Sequence, residues 1–129
     1  MAVKIIYFVH GTTTDNINHK STGWLNGKLS EKGIEQSIKL REQINLNEID
    51  LVISSDLKRA IDSAKYTFKD SKVILHDKRI RECNYGDLNG ENTTLALEVI
   101  TKNISWKEAI DNDWRKTKNW QPGWRYEIR

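Results

Sequence analysis

Three residue types suited to phosphoryl transfer stand far apart in this 129-residue chain, at His10, Arg59 and Glu82. A neutral imidazole can attack phosphorus, and a guanidinium can hold two phosphate oxygens in a planar fork. A carboxylic acid can give a proton to the leaving alcohol. Loop amides after Gly11 and the side chain of Asn16 would supply further donors to the oxygens. If the fold brings these residues together, they predict metal-free phosphoryl transfer from a phosphate ester.

Alternating strands and helices are expected to bring them together. Residues 3–9 are β-branched and aromatic almost throughout, which predicts a strand buried on both faces that ends at His10. Two further short strands are predicted at residues 51–53 and 73–75. A strand–helix–strand order predicts an α/β fold, a parallel sheet with right-handed crossovers and flanking helices. Ligands of such sheets bind at the carboxyl ends of the strands.

Two helices are predicted between these strands. Ser30 is placed to cap the first, with Glu31 in its opening turn. The second is expected to begin near Asp56, which places Arg59 in its first turn. The apolar positions expected to face the core are Ile34, Ile38, Leu40 and Ile44 in the first helix, and Leu57, Ala60, Ile61, Ala64 and Phe68 in the second. The small, polar residues 12–27 predict a long loop.

Four ordered sequence blocks within residues 3 to about 90 resemble the histidine phosphatase superfamily, which includes phosphoglycerate mutases and their phosphatase relatives. The blocks are His10-Gly11-Thr12-Thr13-Thr14-Asp15-Asn16; Thr22-Gly23-Trp24-Leu25-Asn26 followed by Leu29-Ser30-Glu31-Lys32-Gly33-Ile34-Glu35-Gln36; Ser54-Ser55-Asp56-Leu57-Lys58-Arg59-Ala60; and Arg81-Glu82-Cys83-Asn84-Tyr85-Gly86-Asp87-Leu88-Asn89-Gly90. The resemblance implies a phosphoglycerate mutase-like three-layer sandwich.

The resemblance also implies a role for each matching position. His10 would be the phosphorylated nucleophile and Glu82 the proton donor. The implied phosphate contacts are Arg59, Asn16, Gly11, Thr22 and Gly23. The expected activity is hydrolysis of a small phosphorylated metabolite through a phosphohistidine intermediate, with no cofactor and no metal.

Two departures from the family pattern bear on activity. Val9 stands where the family has an arginine before the nucleophile, either by substitution or by loss of one residue after Phe8-Val9. No histidine follows His76, although the family has a late one. We therefore expect an N-terminal portion of a longer domain, incomplete at its carboxyl end, with activity that is weak or lost. The alternative is a catalytically degenerate protein that binds a phosphorylated ligand or a partner protein.

Length predicts a single domain over residues 1–129, with a motif-bearing core at 1–90 and a helical insertion and divergent end at 91–129. Residues 114–129 hold five basic residues and one acid, interleaved with tryptophans. This pattern raises a less favoured third option, a nucleic-acid-binding module. The clustered rings of Trp106, Trp114, Trp120 and Trp124 must also be buried, and an incomplete sheet would leave an unpaired edge that these rings or a second chain could cover. Homodimerisation is therefore a hypothesis.

The remaining composition excludes several other classes. A single cysteine rules out an internal disulfide or a cysteine-based zinc site and favours a reducing compartment. The longest apolar run, within residues 5–9, is much shorter than the ~20 residues that cross a bilayer. We therefore predict a cytoplasmic protein without a membrane segment.

Overall fold

The computed structural model describes residues 2–94, where two helices pack against each other beside a short parallel sheet. The helices and strands are α1 (Thr14–Ile17), α2 (Glu31–Gln43), β1 (Val52–Ser54), α3 (Lys58–Phe68) and β2 (Ile74–His76). Single 3₁₀ turns follow at Leu46–Glu48, Lys69–Ser71, Lys78–Ile80 and Gly86–Leu88. The tryptophan-rich end, and most of the predicted insertion, lie outside the described residues. No helix in the described part is long and apolar enough to cross a membrane.

The predicted parallel sheet is confirmed for its second and third strands. β1 pairs with β2 in parallel, with Val52 opposite Ile74. The core beneath it is formed by Val52, Ala64 and Phe68. Four partly buried side chains complete this core: Ile44, Leu46, Ile49 and Ile74.

The strand predicted over residues 3–9 is wrong for the described part of the chain. Residues 2–9 form no strand, and their side chains are exposed, Val9 to 88% and Tyr7 to 71%. Phe8 still makes an edge-on contact with Phe68, with ring centroids 6.4 Å apart. The physical reason is that a strand requires a hydrogen-bonded neighbour and a covering layer. Within residues 2–94 this segment has no ladder partner.

The predicted cap of α2 is confirmed, and the predicted face of the helix is confirmed in part, since Ile44 packs against the core. Ser30 Oγ accepts a hydrogen bond from the N–H of Gly33. The buried positions of α2 are Gly33 and Ser37, whereas Ile38 is exposed. Thr67 Oγ1 in α3 donates to the carbonyl of Ser37 across the helix pair at 3.0 Å. Small residues therefore face α3, because they allow the two backbones to approach closely.

The helix predicted near Asp56 begins at Lys58 and buries most of the expected stripe, including Leu57, Ala64 and Phe68. It also buries three polar side chains, those of Arg59, Ser63 and Thr67. The loop predicted over residues 12–27 contains one helical turn, α1. A capping box between Thr13 and Asn16 forms that turn.

Candidate active site

The backbone at His10 is held between α2 and α3 by unusually small neighbours. The N–H of Gly11 donates to Ser63 Oγ at 2.9 Å, and Ser63 Oγ donates to the carbonyl of Arg59 at 2.7 Å. A Cβ on Gly11 would lie 2.3 Å from the carbonyl oxygen of Gly33, and one on Gly33 would lie 2.1 Å from that of Thr12. Both glycines are therefore required for the chain to pass at this point.

The imidazole of His10 has a defined tautomer. Its Nδ1 lies 2.8 Å from the carbonyl oxygen of Gly11. Because a carbonyl only accepts, Nδ1 carries the proton and Nε2 carries the free lone pair in the neutral ring. Burial lowers the pKa of His10 below its ordinary value of 6.5, even though the bond to Gly11 opposes this shift. At neutral pH the ring is thus an uncharged nucleophile or base.

Arg59 is buried, with 3% of its surface exposed. Its Nη2 donates to the carbonyl of Gly23 at 2.8 Å and its Nη1 to that of Leu25 at 3.3 Å. These two carbonyls fix the guanidinium plane and leave its other N–H groups for an additional acceptor. Gly23 has φ +55°, and a Cβ there would lie 1.7 Å from Asn89 Oδ1, so only glycine fits.

Glu82 lies in the segment after β2 with its carboxyl group exposed. Its Oε1 accepts a hydrogen bond from the N–H of Cys83 at 3.1 Å. Its carbonyl oxygen accepts one from the indole Nε1 of Trp24 at 2.8 Å. Burial raises the pKa of the neighbouring Cys83 to about 11, so the thiol stays protonated at neutral pH.

The three candidate residues influence one another electrostatically. The positive charge of Arg59 lowers the pKa of His10, and the negative charge of Glu82 raises it. The charge of Glu82 also acts on Arg59, whose pKa is lowered mainly by burial. Residues from three separate segments of the chain thus lie within electrostatic reach of one another.

The loop amides predicted as phosphate donors are already engaged. Besides Gly11, the N–H of Thr12 donates to Gln36 Oε1, and that of Thr13 donates to Asn16 Oδ1, both at 2.9 Å. The N–H of Thr14 donates to the carbonyl of Lys28. The loop is therefore ordered by its own protein contacts, and the part of Gly11 in phosphate binding stays a prediction.

The three remaining predicted phosphate contacts, Asn16, Thr22 and Gly23, lie on the same loop. Asn16 uses Oδ1 in the cap of α1, which leaves its amide Nδ2 as the donor that a ligand would meet. The buried Thr22 donates its hydroxyl to Asp15 Oδ2 at 2.8 Å. The charge of Asp15 in turn acts on Arg59. Their contact with phosphate also stays a prediction.

Sequence reasoning missed the positioning roles of Ser63, Gln36 and Gly33. Gly33 lies inside α2, and Ser63 supplies the acceptor for Gly11 from the buried side of α3. A signal for Ser63 existed, because it lies four residues after Arg59 and thus on the same helix face. Among residues 2–94, no three His, Cys, Asp or Glu side chains gather where they could hold a metal ion.

Fold and side chains together define an α/β protein whose candidate site combines a neutral histidine with a buried arginine. A sequence model of the histidine phosphatase superfamily (branch 1) matches residues 6–127. The chain belongs to this superfamily, and the predicted resemblance is confirmed.

Several relatives share about a third of the aligned residues. The chain is 30% identical over 109 residues to a glucosyl-3-phosphoglycerate phosphatase of Mycobacterium tuberculosis. The aligned region covers 83% of this chain and 49% of that protein. The chain is also 30% identical over 125 residues to a 2,3-bisphosphoglycerate-dependent phosphoglycerate mutase of Staphylococcus epidermidis, covering 92% and 52%. The chain thus spans about half the length of the curated relatives it matches.

Solved structures agree with the predicted phosphoglycerate mutase-like fold. A mycobacterial glucosyl-3-phosphoglycerate phosphatase complexed with VO3 superposes with a TM-score of 0.65 and 30% identity, over 88% of this chain and 53% of that one. The phosphoglycerate mutase of Bacillus anthracis superposes with a TM-score of 0.63 and 31% identity, over 81% and 49%.

Proposed function

We propose that this chain carries the nucleophile, phosphate clamp and proton donor of a phosphomonoester hydrolase acting on a small phosphorylated metabolite. His10 is the nucleophile, Arg59 binds the phosphate and Glu82 is the proton donor. Asn16 contributes its amide Nδ2, and Gly11, Thr22 and Gly23 provide further phosphate contacts.

One observation carries this proposal. Arg59 is buried, yet none of the ion pairs formed among residues 2–94 includes it. A buried cation without a paired carboxylate is costly, and a bound anion removes that cost. A phosphate ester beside Arg59 would also lie within reach of the charges of His10 and Glu82, the two groups that hydrolysis needs.

The proposed reaction has two steps. The lone pair of His10 Nε2 attacks phosphorus, an N–P bond forms, and the P–O bond to the alcohol breaks while Glu82 gives that oxygen a proton. Water then attacks the phosphohistidine, its proton returns to Glu82, and inorganic phosphate leaves with His10 restored. Arg59 balances charge on the phosphoryl oxygens in both steps.

Hydrolysis of p-nitrophenyl phosphate by the full chain tests the proposal. His10→Ala should lower the rate by about 10²–10⁴-fold and abolish phosphoryl labelling of the protein, followed by intact-protein mass spectrometry. His19→Asn is the matched control, since His19 is an exposed loop histidine whose φ of 53° asparagine tolerates. Equal activity in His10→Ala and the parent protein would refute the role of His10.

A second candidate function, phosphate-ligand binding without turnover, is favoured by Val9. This position holds no cation, and its side chain is exposed. Loss of one preorganised donor costs about 10²–10³ in rate. If the protein binds phosphate without turnover, calorimetry should show binding of inorganic phosphate to the parent protein. Neither the parent nor His10→Ala should then release p-nitrophenol.

We also propose that residues 1–129 form one domain, with the motif-bearing core at 1–90. The family match extends over residues 6–127, which supports continuity across this boundary. A single cooperative unfolding transition of the full chain would agree with one domain, and two separated transitions would contradict it.

A further inference from the structure

One three-residue segment connects the candidate phosphate clamp to the candidate proton donor. The carbonyls of Gly23 and Leu25 accept the two hydrogen bonds from the guanidinium of Arg59. Between them, the side chain of Trp24 donates its indole N–H to the carbonyl of Glu82 at 2.8 Å. Backbone and side chain of the same segment thus contact both groups.

The indole of Trp24 is itself held in place by a cation. The guanidinium carbon of Arg81 lies 4.6 Å from the centroid of the Trp24 ring. Arg81 Nε and Nη2 donate to the two carboxylate oxygens of Asp56 at 2.5 and 2.6 Å. This paired arrangement keeps the pKa of Asp56 below its usual range. The plane of the guanidinium, and hence its stacking on the ring, is therefore set by two parallel hydrogen bonds.

Asp56 connects Arg81 to the start of α3. It lies between β1 and α3, three residues before Arg59. Glu82 directly follows Arg81 in the chain. The position of the Glu82 backbone is thus tied to the start of α3 by Asp56 and Arg81, and to the clamp on α3 by Trp24. A second anchor for Trp24 is its own N–H, which donates to Asn89 Oδ1 at 3.3 Å.

We propose that Trp24 and Arg81 are positioning residues that fix the proton donor Glu82 relative to the phosphate clamp Arg59. This proposal rests on the proposed function. Trp24 holds the Glu82 carbonyl through its indole N–H, and Arg81 holds the indole by stacking. Neither residue is a predicted phosphate contact, so their loss should move the donor rather than the phosphate.

The leaving group of the substrate separates this role from a general loss of structure. Nitrophenolate leaves readily without a proton, whereas the alkoxide of glycerol phosphate requires one. Trp24→Phe keeps a ring for Arg81 to stack on and removes only the N–H donor. It should lower the single-turnover rate of His10 phosphorylation by glycerol phosphate, the only step that depends on the leaving group, by about tenfold to a hundredfold, with little change in this rate for p-nitrophenyl phosphate.

Matched variants sharpen this experiment. Arg81→Lys removes the two parallel hydrogen bonds and should show the same selective loss. Arg79→Lys is the control, because Arg79 forms a similar pair with Asp77 on an exposed turn and contacts neither Trp24 nor Glu82. Equal losses on both substrates, or no loss on either, would overturn the positioning role.

A second readout does not require turnover. Inorganic phosphate is titrated into protein labelled with ¹³C at glutamate carboxyl groups, and the Glu82 resonance is followed. In Trp24→Phe the response of this resonance should fall by about half or more, while the phosphate Kd stays within about twofold. An unchanged response would overturn the positioning role. Absence of phosphate binding by the parent protein would instead count against the proposed function.

Discussion

Two regions of the molecule lie next to His10, and in each of them the burial differs from what the polarity of its residues would suggest. The loop–helix junction, formed by Gly11, Thr12, Gly33 and Ser63, is made of small and polar residues, yet its backbones are in close contact. The amino-terminal segment, residues 2–9, is largely apolar, yet its side chains are exposed.

The difference shows what burial at this site depends on. At the junction, Ser63 Oγ accepts a hydrogen bond from the N–H of Gly11 across the gap and donates one to the carbonyl of Arg59 within α3. Small residues let the backbones meet, so hydrogen bonds are satisfied inside. In the amino-terminal segment, hydrophobicity is high, but the described chain offers neither a ladder partner nor a second covering layer. Apolar character alone therefore does not bury a strand.

The largest expected effect comes from removing Arg59, whose carbonyl accepts a hydrogen bond from Ser63 of the junction. Arg59→Ala deletes both contacts to Gly23 and Leu25 and the phosphate clamp. Calorimetry should show inorganic phosphate binding about 10²–10³-fold weaker. Lys58→Ala, one residue earlier and paired with Asp62 at the surface, should bind as the parent does. Equal affinity in the parent and Arg59→Ala would contradict the clamp.

A stability effect of the next size is expected from overpacking the junction. In an open helix, Gly→Ala stabilises by about 0.5–1 kcal/mol. At Gly33 the added Cβ would lie 2.1 Å from the carbonyl oxygen of Thr12, so Gly33→Ala should instead destabilise by about 1–3 kcal/mol. Urea unfolding monitored by circular dichroism measures the change. Lys32→Ala, the exposed neighbour on α2, is the control, and a stabilised Gly33→Ala would disprove the close approach.

A smaller effect is expected from the pH dependence of stability. The pKa of His10 is lowered in the folded protein, so as pH falls below 6.5 the unfolded chain takes up a proton first. The contribution of His10 is therefore fully present above pH 6.5 and is lost as pH falls toward its folded pKa. His10→Gln should flatten this part of the unfolding free energy against pH. An unaltered profile would show that burial does not act on the ring.

The smallest effects are expected in the amino-terminal segment. Tyr7→Thr and Val9→Arg change exposed side chains and should alter the free energy of unfolding by less than about 0.5 kcal/mol in urea titrations. A loss as large as that of Gly33→Ala would mean that this segment is buried after all.

Val9→Arg also distinguishes the two candidate functions. It restores a cation next to the nucleophile, as does a separate variant with an arginine inserted between Val9 and His10. If only the missing cation limits turnover, one of the two should raise hydrolysis of p-nitrophenyl phosphate by about 10-fold or more. No gain in either variant would favour the binding function.

Local chemistry made much of the site predictable. Ser30 caps α2 because its hydroxyl suits a helix start, and Arg59 falls in the first turn of α3 because the apolar spacing fixes that helix. The occupied loop amides could not be foreseen. Thr12 donates to Gln36, which lies 24 residues away, and only the packing of α2 brings the two together.

The sequence by itself determined the residue types, the order of α2, β1, α3 and β2, and the family, because these depend on short motifs and on local periodicity. Only the tertiary structure decided that Gly33 and Ser37 rather than Ile38 face α3, and that residues 2–9 remain exposed. It alone joined Trp24 to Arg81 and Glu82. The physical reason is that burial and hydrogen bonding arise between segments that are distant in the sequence. How closely two such segments approach depends on the packing of the whole fold, which the sequence of either segment alone does not specify.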